Sequence, residues 1–312
     1  MKLQVECGLK KNSARLKNNT FLTVLRKDWS AWVLMLPFLL CLYICLWRPT
    51  IIGGALSLFK LQGYTPVEFV GFKNYIAVMK DTMFLTTLLN TLQYVFWSFV
   101  LGYLPPLIIA IILNEMFLAK GFMRFAVYLP SIVPTIAVSV IWYLLYLPTP
   151  DGLLNALLAK CGMPLFSWLE NKNMTIILIV ISMTWKGFGA TCIMYVASLQ
   201  SINHELYDVG RIEGACIWRR ITSVLLPHLK GIMMLFAVQQ VIGVMQVMEQ
   251  PMTMTGGGPD NASLTLALQS YNYGFSYFQA DRALALGMIM FVIMLILTAY
   301  YFKIEKRFGD DA

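Results

Sequence analysis

Six separate apolar runs, each near or above the roughly 20 residues that a helix needs to cross hydrocarbon, punctuate this 312-residue chain. They extend over about Trp29 to Trp47, Leu85 to Leu113, Phe125 to Leu147, Thr175 to Leu199, Gly231 to Met248 and Ala283 to Phe302. One soluble core has no room for so many. Lipid admits only helices and closed barrels, because every backbone polar group inside it must be satisfied internally. The runs therefore predict an all-α integral membrane protein of six transmembrane helices. Composition agrees: 58% of residues are hydrophobic and 13% charged, where soluble domains carry about 45–50% and about 25%.

The basic residues orient these helices. Of the 24 lysines and arginines, sixteen lie in the tail before the first run, in the loop from Glu115 to Arg124, in the segment from Ser201 to Lys230, and at the C-terminus. Seven lie in the alternate loops, and Lys186 sits inside the fourth run. The positive-inside rule then predicts both termini and the 201–230 segment to be cytoplasmic. The net charge of +8 records this orientation rather than an affinity for nucleic acid. The expected organisation is a basic cytoplasmic tail over 1–28, a six-span domain over 29–302 containing the cytoplasmic segment 201–230, and a cytoplasmic tail over 303–312. No small-residue cleavage site follows the first run, so it is expected to stay on the mature chain. Pro37, Pro105, Pro106, Pro130 and Pro134 fall inside runs, where a break is tolerated if neighbouring helices or a cavity satisfy the freed groups. A packed bundle around a path is expected.

Chemistry is poorly represented. The six cysteines form no C-x-x-C pair, and His204 and His228 stand alone, which argues against a disulfide framework or a metal cluster. Phosphate-loop, nucleophile-elbow and H-E-x-x-H signatures are absent. The chain is expected to bind no cofactor and to catalyse nothing by itself.

The 201–230 segment carries the most information. Glu205 to Glu213 has helical spacing, Asn203 suits an N-cap, and Glu205 and Asp208 suit the first turns of the helix dipole. Gly214 interrupts the pattern, and a second short helix is predicted from Ala215 to about Leu225, stopped by Pro227. A helix, a glycine turn and a helix make a knob suited to a partner's groove.

These residues resemble the cytoplasmic loop of ATP-binding-cassette (ABC) importer permeases, whose pattern is E-A-A, three residues, G, nine residues, I-x-L-P. Asp208-Val209-Gly210 stands at E-A-A, Gly214 at the glycine, Val224 at the isoleucine and Leu226-Pro227 at the final pair. The longer sugar-importer form, E-L-Y followed by R-I-[DE]-G-A, is matched by Glu205-Leu206-Tyr207 and Arg211-Ile212-Glu213-Gly214-Ala215. Val70-Gly71-Phe72-Lys73-Asn74-Tyr75, Tyr128-Leu129-Pro130 with Pro134, and Thr255-Gly256-Gly257-Gly258-Pro259 resemble further segments of sugar permeases, the last of the maltose and glycerol-3-phosphate branch. Two positions depart from the pattern: Val209-Gly210 replaces two alanines, and Gly231 stands where proline is frequent.

The resemblance implies a type I importer permease fold in a bacterial cytoplasmic membrane. It also implies a second, homologous permease subunit, two copies of a cytoplasmic ATPase that hold the ATP and Mg, an extracytoplasmic solute-binding protein and a carbohydrate substrate, most simply an oligosaccharide. Glu205, Asp208, Arg211, Glu213 and Gly214 would couple the chain to the ATPase.

For the substrate path, polar and aromatic groups inside the runs are the place to look, since each is costly in lipid unless it faces a cavity or partner. Trp185 and Phe188 suit stacking on a sugar ring, while Lys186, Gln246 and Glu249 suit bonding to hydroxyls. Gln239, Gln240 and Gln250 belong to the same polar set, and the three-residue spacing of Gln246 and Glu249 predicts a shared helix face. Resemblance to the maltose importer implies sugar contacts at Met183, Lys186, Gly187, Ala190, Gly243, Val247 and Glu249. Two rival classes stay open on the residues alone: a self-sufficient secondary transporter coupling ions through Lys186 and Glu249, and a membrane-embedded enzyme, for which no nucleophile and base can be named.

Overall fold

The computed structural model describes residues 29–115, 120–201 and 216–309. Glu205, Asp208, Arg211, Glu213 and Gly214, the predicted coupling residues, lie outside the described residues. The chain divides into two compact units, one ending at Ala55 and the other beginning at Leu56. The described part of the first is a single helix, α1 (Trp29–Leu56), which passes through Pro37 and continues nine residues beyond the predicted end at Trp47.

The second unit opens with an antiparallel hairpin, β1 (Phe59–Gln62) and β2 (Thr65–Phe69), which the all-α expectation did not include. Helix α2 (Lys73–Lys80) ties back to it: Asn74 donates to the carbonyls of Ser57 (2.8 Å) and Phe59 (2.9 Å), and the Tyr75 and Ser57 hydroxyls meet at 2.6 Å. That is the structural work of the Asn-Tyr pair picked out in the sequence. Asp81 caps α3 (Thr82–Asn114) by accepting from the Met83 N–H. Its carboxylate also accepts from the Tyr273 hydroxyl at 2.6 Å, with Arg282 4.0 Å away. These donors, Tyr273 foremost, hold the Asp81 pKa below its ordinary value. A folded pKa so lowered gives stability that is complete above about pH 4 and lost as pH falls through the folded value.

Next come α4 (Lys120–Ile132) and α5 (Thr135–Leu145), which meet at 94°. The predicted third span is thus two pieces. Pro134 explains the break, because it pushes the residue before it out of helical geometry and starts α5 from an extended conformation. After α6 (Leu153–Lys160), whose Asn155 satisfies four polar groups of the surrounding loop, the chain forms α7 (Thr175–Gln200). Helix α8 (Ile217–Arg220) runs through a π-turn into α9 (Leu226–Met245); α10 (Glu249–Thr255), α11 (Leu266–Tyr271) and α12 (Ala280–Gly309) complete the chain. Five helices, α1, α3, α7, α9 and α12, are long and apolar enough to cross a membrane, and the bent α4–α5 pair makes a sixth span if taken as one.

Three π-turns share one cause. Tyr43–Trp47 precedes Pro49, Phe99–Tyr103 precedes Pro105 and Pro106, and Ile221–Leu225 precedes Pro227. A proline ring clashes with the carbonyl four residues back and offers no N–H, so widening the preceding turn lets the helix continue. This corrects the expectation that Pro227 ends a helix: the chain is helical from Ile217 to Met245. In water such a break would fray. At Phe99–Tyr103, where Gly102 and the neighbouring Ser98 are buried, packing holds it.

Cores form where α3, α7 and α9 meet. Leu107, Ala110 and Leu113 pack with Cys192, Tyr195, Val196 and Leu199 and with Leu229 and Phe236. The Tyr195 and Phe236 rings meet edge to face at 4.8 Å. Helix α4 presses so closely on α7 that a Cβ at Gly189 would clash with the Val127 carbonyl oxygen, and Ser131 bonds the Lys186 carbonyl beside it. On α3, Asn90 donates to the Asn261 and Leu264 carbonyls, Tyr94 to that of Ser263, and Thr91 accepts from the Leu266 N–H. The segment that follows the Gly-Gly-Gly-Pro turn is thereby bound to α3 by side chains.

Candidate functional site

Helices α3, α7 and α9 enclose a cavity of about 240 Å³. Its polar lining is Ser98 and Tyr103 from α3, Thr184, Thr191 and Tyr195 from α7, and Gln239 and Gln240 from α9. Its apolar lining includes Val180, Met183, Phe188, Phe236 and Val244. Among the described residues, no charged side chain lines it. The cavity therefore offers hydroxyls, amides and four aromatic rings, a mixture suited to an uncharged polyhydroxyl compound with apolar ring faces.

Local structure places these groups. The π-turn of α3 carries Gly102 to the wall, where a Cβ would lie 2.9 Å from the Thr184 hydroxyl and 3.3 Å from the Gln240 amide nitrogen. Only glycine lets the three helices close to this distance without moving Thr184. Gln240 reaches the Ser98 carbonyl at 3.4 Å, the Ser98 hydroxyl donates to Val95 at 2.8 Å, and the Tyr103 hydroxyl donates to the Met233 carbonyl at 2.8 Å.

Among the predicted path residues, Met183 and Gly187 on α7 and Gly243 on α9 line this cavity, as do Phe188, Gln239 and Gln240. The others lie elsewhere. Trp185, 39% exposed, packs against Trp142 with ring centroids 6.0 Å apart. Lys186 is half-buried and Ala190 exposed, both on α7. Val247 is buried in the core with Tyr94, Tyr146 and Met254. The expected shared face of Gln246 and Glu249 does not exist, because α9 ends at Met245, Gln246 caps it, and Glu249 begins α10. Gln246 instead bonds its own helix at Ile242 and the Met294 sulfur. Among the described residues neither Lys186 nor Glu249 joins an ion pair.

Sequence reasoning missed Ser98, Gly102, Tyr103, Thr184, Thr191 and Tyr195 as lining residues. A signal was present at Pro105-Pro106, since a double break inside a span needs a cavity or a neighbour beside it.

A family model described as "Binding-protein-dependent transport system inner membrane component" matches residues 102–310. The chain is 30% identical over 283 residues to the trehalose/maltose transport system permease protein MalF of Thermococcus litoralis, covering 90% of this chain and 94% of that one. It is 27% identical over 279 residues to the arabinooligosaccharides transport system permease protein AraP of Bacillus subtilis, covering 88% of each. In fold it is similar to a chain of a bacterial ABC transporter that imports the acidic polysaccharide alginate, with a TM-score of 0.81 at 22% identity over 92% of this chain and 98% of that one. The chain belongs to the inner membrane components of binding-protein-dependent transport systems: it is a multi-pass permease subunit of an ABC importer in a bacterial plasma membrane, a transport subunit and not an enzyme.

Proposed function

We propose that this permease carries an uncharged carbohydrate, an oligosaccharide passed ring by ring, along the cavity between α3, α7 and α9. The neutral hydroxyl and amide lining of that cavity carries the reading. The names of its relatives support it, one for arabinooligosaccharides and one for trehalose and maltose. Met183, Gly187 and Gly243 form the wall together with Thr184, Gln239 and Gln240. Trp185, Lys186, Ala190, Gln246 and Glu249, which lie off the cavity, are assigned to contacts with a second, homologous permease that completes the path. Val247 is assigned a packing role.

Two cytoplasmic ATPase subunits drive the cycle, with the knob around Gly214 seated in one of them. Glu205, Asp208, Arg211 and Glu213 line that contact. The permease is then a two-state element whose equilibrium is biased by ATP closure on one side and by the loaded binding protein on the other. Tagging the chain, extracting it in mild detergent and identifying its companions by mass spectrometry tests this assembly. Recovery of a homologous permease and an ATPase is expected. Recovery of the chain alone, in a stable complex, contradicts it.

A further inference from the structure

Two carbonyls of α3 cannot be satisfied in the usual way. In an α-helix the carbonyls of Leu101 and Gly102 accept from the N–H groups of residues 105 and 106, and both of these are prolines, which have none. For Leu101 the i+5 donor of a π-turn is also Pro106, so both kinds of bond are closed to it; for Gly102 the i+5 donor is Leu107, whose N–H goes to the Tyr103 carbonyl in the α-helical geometry that resumes at Leu104. Gly102 is buried in that turn and lines the cavity, where the absence of a side chain brings backbone to the wall. A second spare group stands on the same cavity. Tyr195 is 0% exposed and its hydroxyl makes no hydrogen bond of good geometry, although it neighbours that of Tyr103, whose own proton is given to Met233. Buried polar groups are paired in the great majority of cases, so an acceptor and a hydroxyl left open on one cavity point to a ligand between them.

We propose that the Gly102 carbonyl and the Tyr195 hydroxyl, flanked by the Gln240 amide, form a hydroxyl-recognising subsite for one uncharged sugar ring, and that Pro106 keeps this acceptor open. The proposal rests on the carbohydrate reading above. A sugar O–H donates to the Gly102 carbonyl, a second hydroxyl exchanges a bond with Tyr195, which can donate or accept, and a third accepts from Gln240, whose present bond to Ser98 is long at 3.4 Å. At about 30 Å³ per water, the 240 Å³ cavity equals the space of about eight waters. That is below the roughly 300 Å³ at which pockets for drug-sized ligands begin, a size suited to one ring at a time. An acidic ring would lose its hydration there without gaining a counter-charge.

The test uses the assembled importer in lipid, with maltose, trehalose, lactose and arabinotriose as probes. Pro106→Ala returns an N–H to the Gly102 carbonyl. Pro105→Ala returns one to Leu101, which does not line the cavity. Gly-Tyr pairs occur only at Gly63-Tyr64 and Gly102-Tyr103, so labelling glycine carbonyl carbons with 13C and tyrosine nitrogens with 15N isolates two resonances by solid-state NMR, with Gly63 as the control. The Gly102 resonance is expected to move when a carried sugar is added, and to move in the same direction in sugar-free Pro106→Ala. KM for uptake is expected to rise about five- to tenfold in Pro106→Ala and about twofold or less in Pro105→Ala. An identical Gly102 resonance in wild type and Pro106→Ala, with sugar uptake intact, overturns the subsite and leaves the carbohydrate reading standing. Uptake of none of the four sugars by wild type overturns that reading and the subsite with it.

Discussion

A Gly102→Leu variant is expected to insert and assemble normally yet to lose uptake by about five- to a hundred-and-fiftyfold, the range that corresponds to an overpacking cost of about 1–3 kcal/mol. The reason is local. A Cβ at this position already lies 2.9 Å from the Thr184 hydroxyl and 3.3 Å from Gln240. Both are the ends of flexible side chains, so alanine is accommodated by small shifts. Leucine must either fill the cavity or part α3 from α7 and α9. Uptake in proteoliposomes, set beside the elution profile of the detergent-extracted complex, separates these outcomes. Near-normal uptake by the leucine variant would mean that substrate passes elsewhere.

The second large effect is expected at Gly214. Replacing it with tryptophan puts a bulky ring at the centre of the proposed coupling knob, where docking into a partner's groove depends on close fit. Loss of such a central interface contact costs about 2 kcal/mol or more, so uptake is expected to fall at least about thirtyfold and the ATPase to stop co-purifying. Membrane insertion of the chain should be unchanged. An unaltered yield of ATPase from the tagged variant would remove Gly214 from the coupling role.

The number of spans was legible because apolar length is a one-dimensional property. Where the sequence reading departed from the structure, proline is the recurring reason. Pro227 read as a stop and Trp47 as an end, yet π-turns carry both helices onward. Pro134 read as a tolerated kink and instead bends the third span by 94°. A single sequence offers no way to tell these outcomes apart, because the same proline is accommodated by a widened turn in one helix and by a bend in another. The cavity was half legible. Gln239 and Gln240 stood out as costly in lipid, and Met183, Gly187 and Gly243 came from the family resemblance. Lys186 drew attention through its charge but lies off the cavity. Ser98, Gly102 and Tyr195 gave no signal of their own beyond the nearby Pro105-Pro106 break, since a small or aromatic residue in an apolar run looks the same whether it faces lipid or a cavity. The Gln246 and Glu249 pairing failed because helical spacing was carried across a break that only the folded chain reveals.

The central claim is that ATP moves an uncharged sugar through the cavity between α3, α7 and α9. Its most direct test is accumulation of radiolabelled neutral and acidic trisaccharides in proteoliposomes holding the complete importer, with wild-type chain and with Gln240→Leu. The account predicts ATP-dependent accumulation of a neutral sugar, none of an acidic one, and a loss of about tenfold when the amide is removed. Accumulation that runs on an ion gradient without ATP, or that prefers the acidic sugar and ignores Gln240, would contradict it.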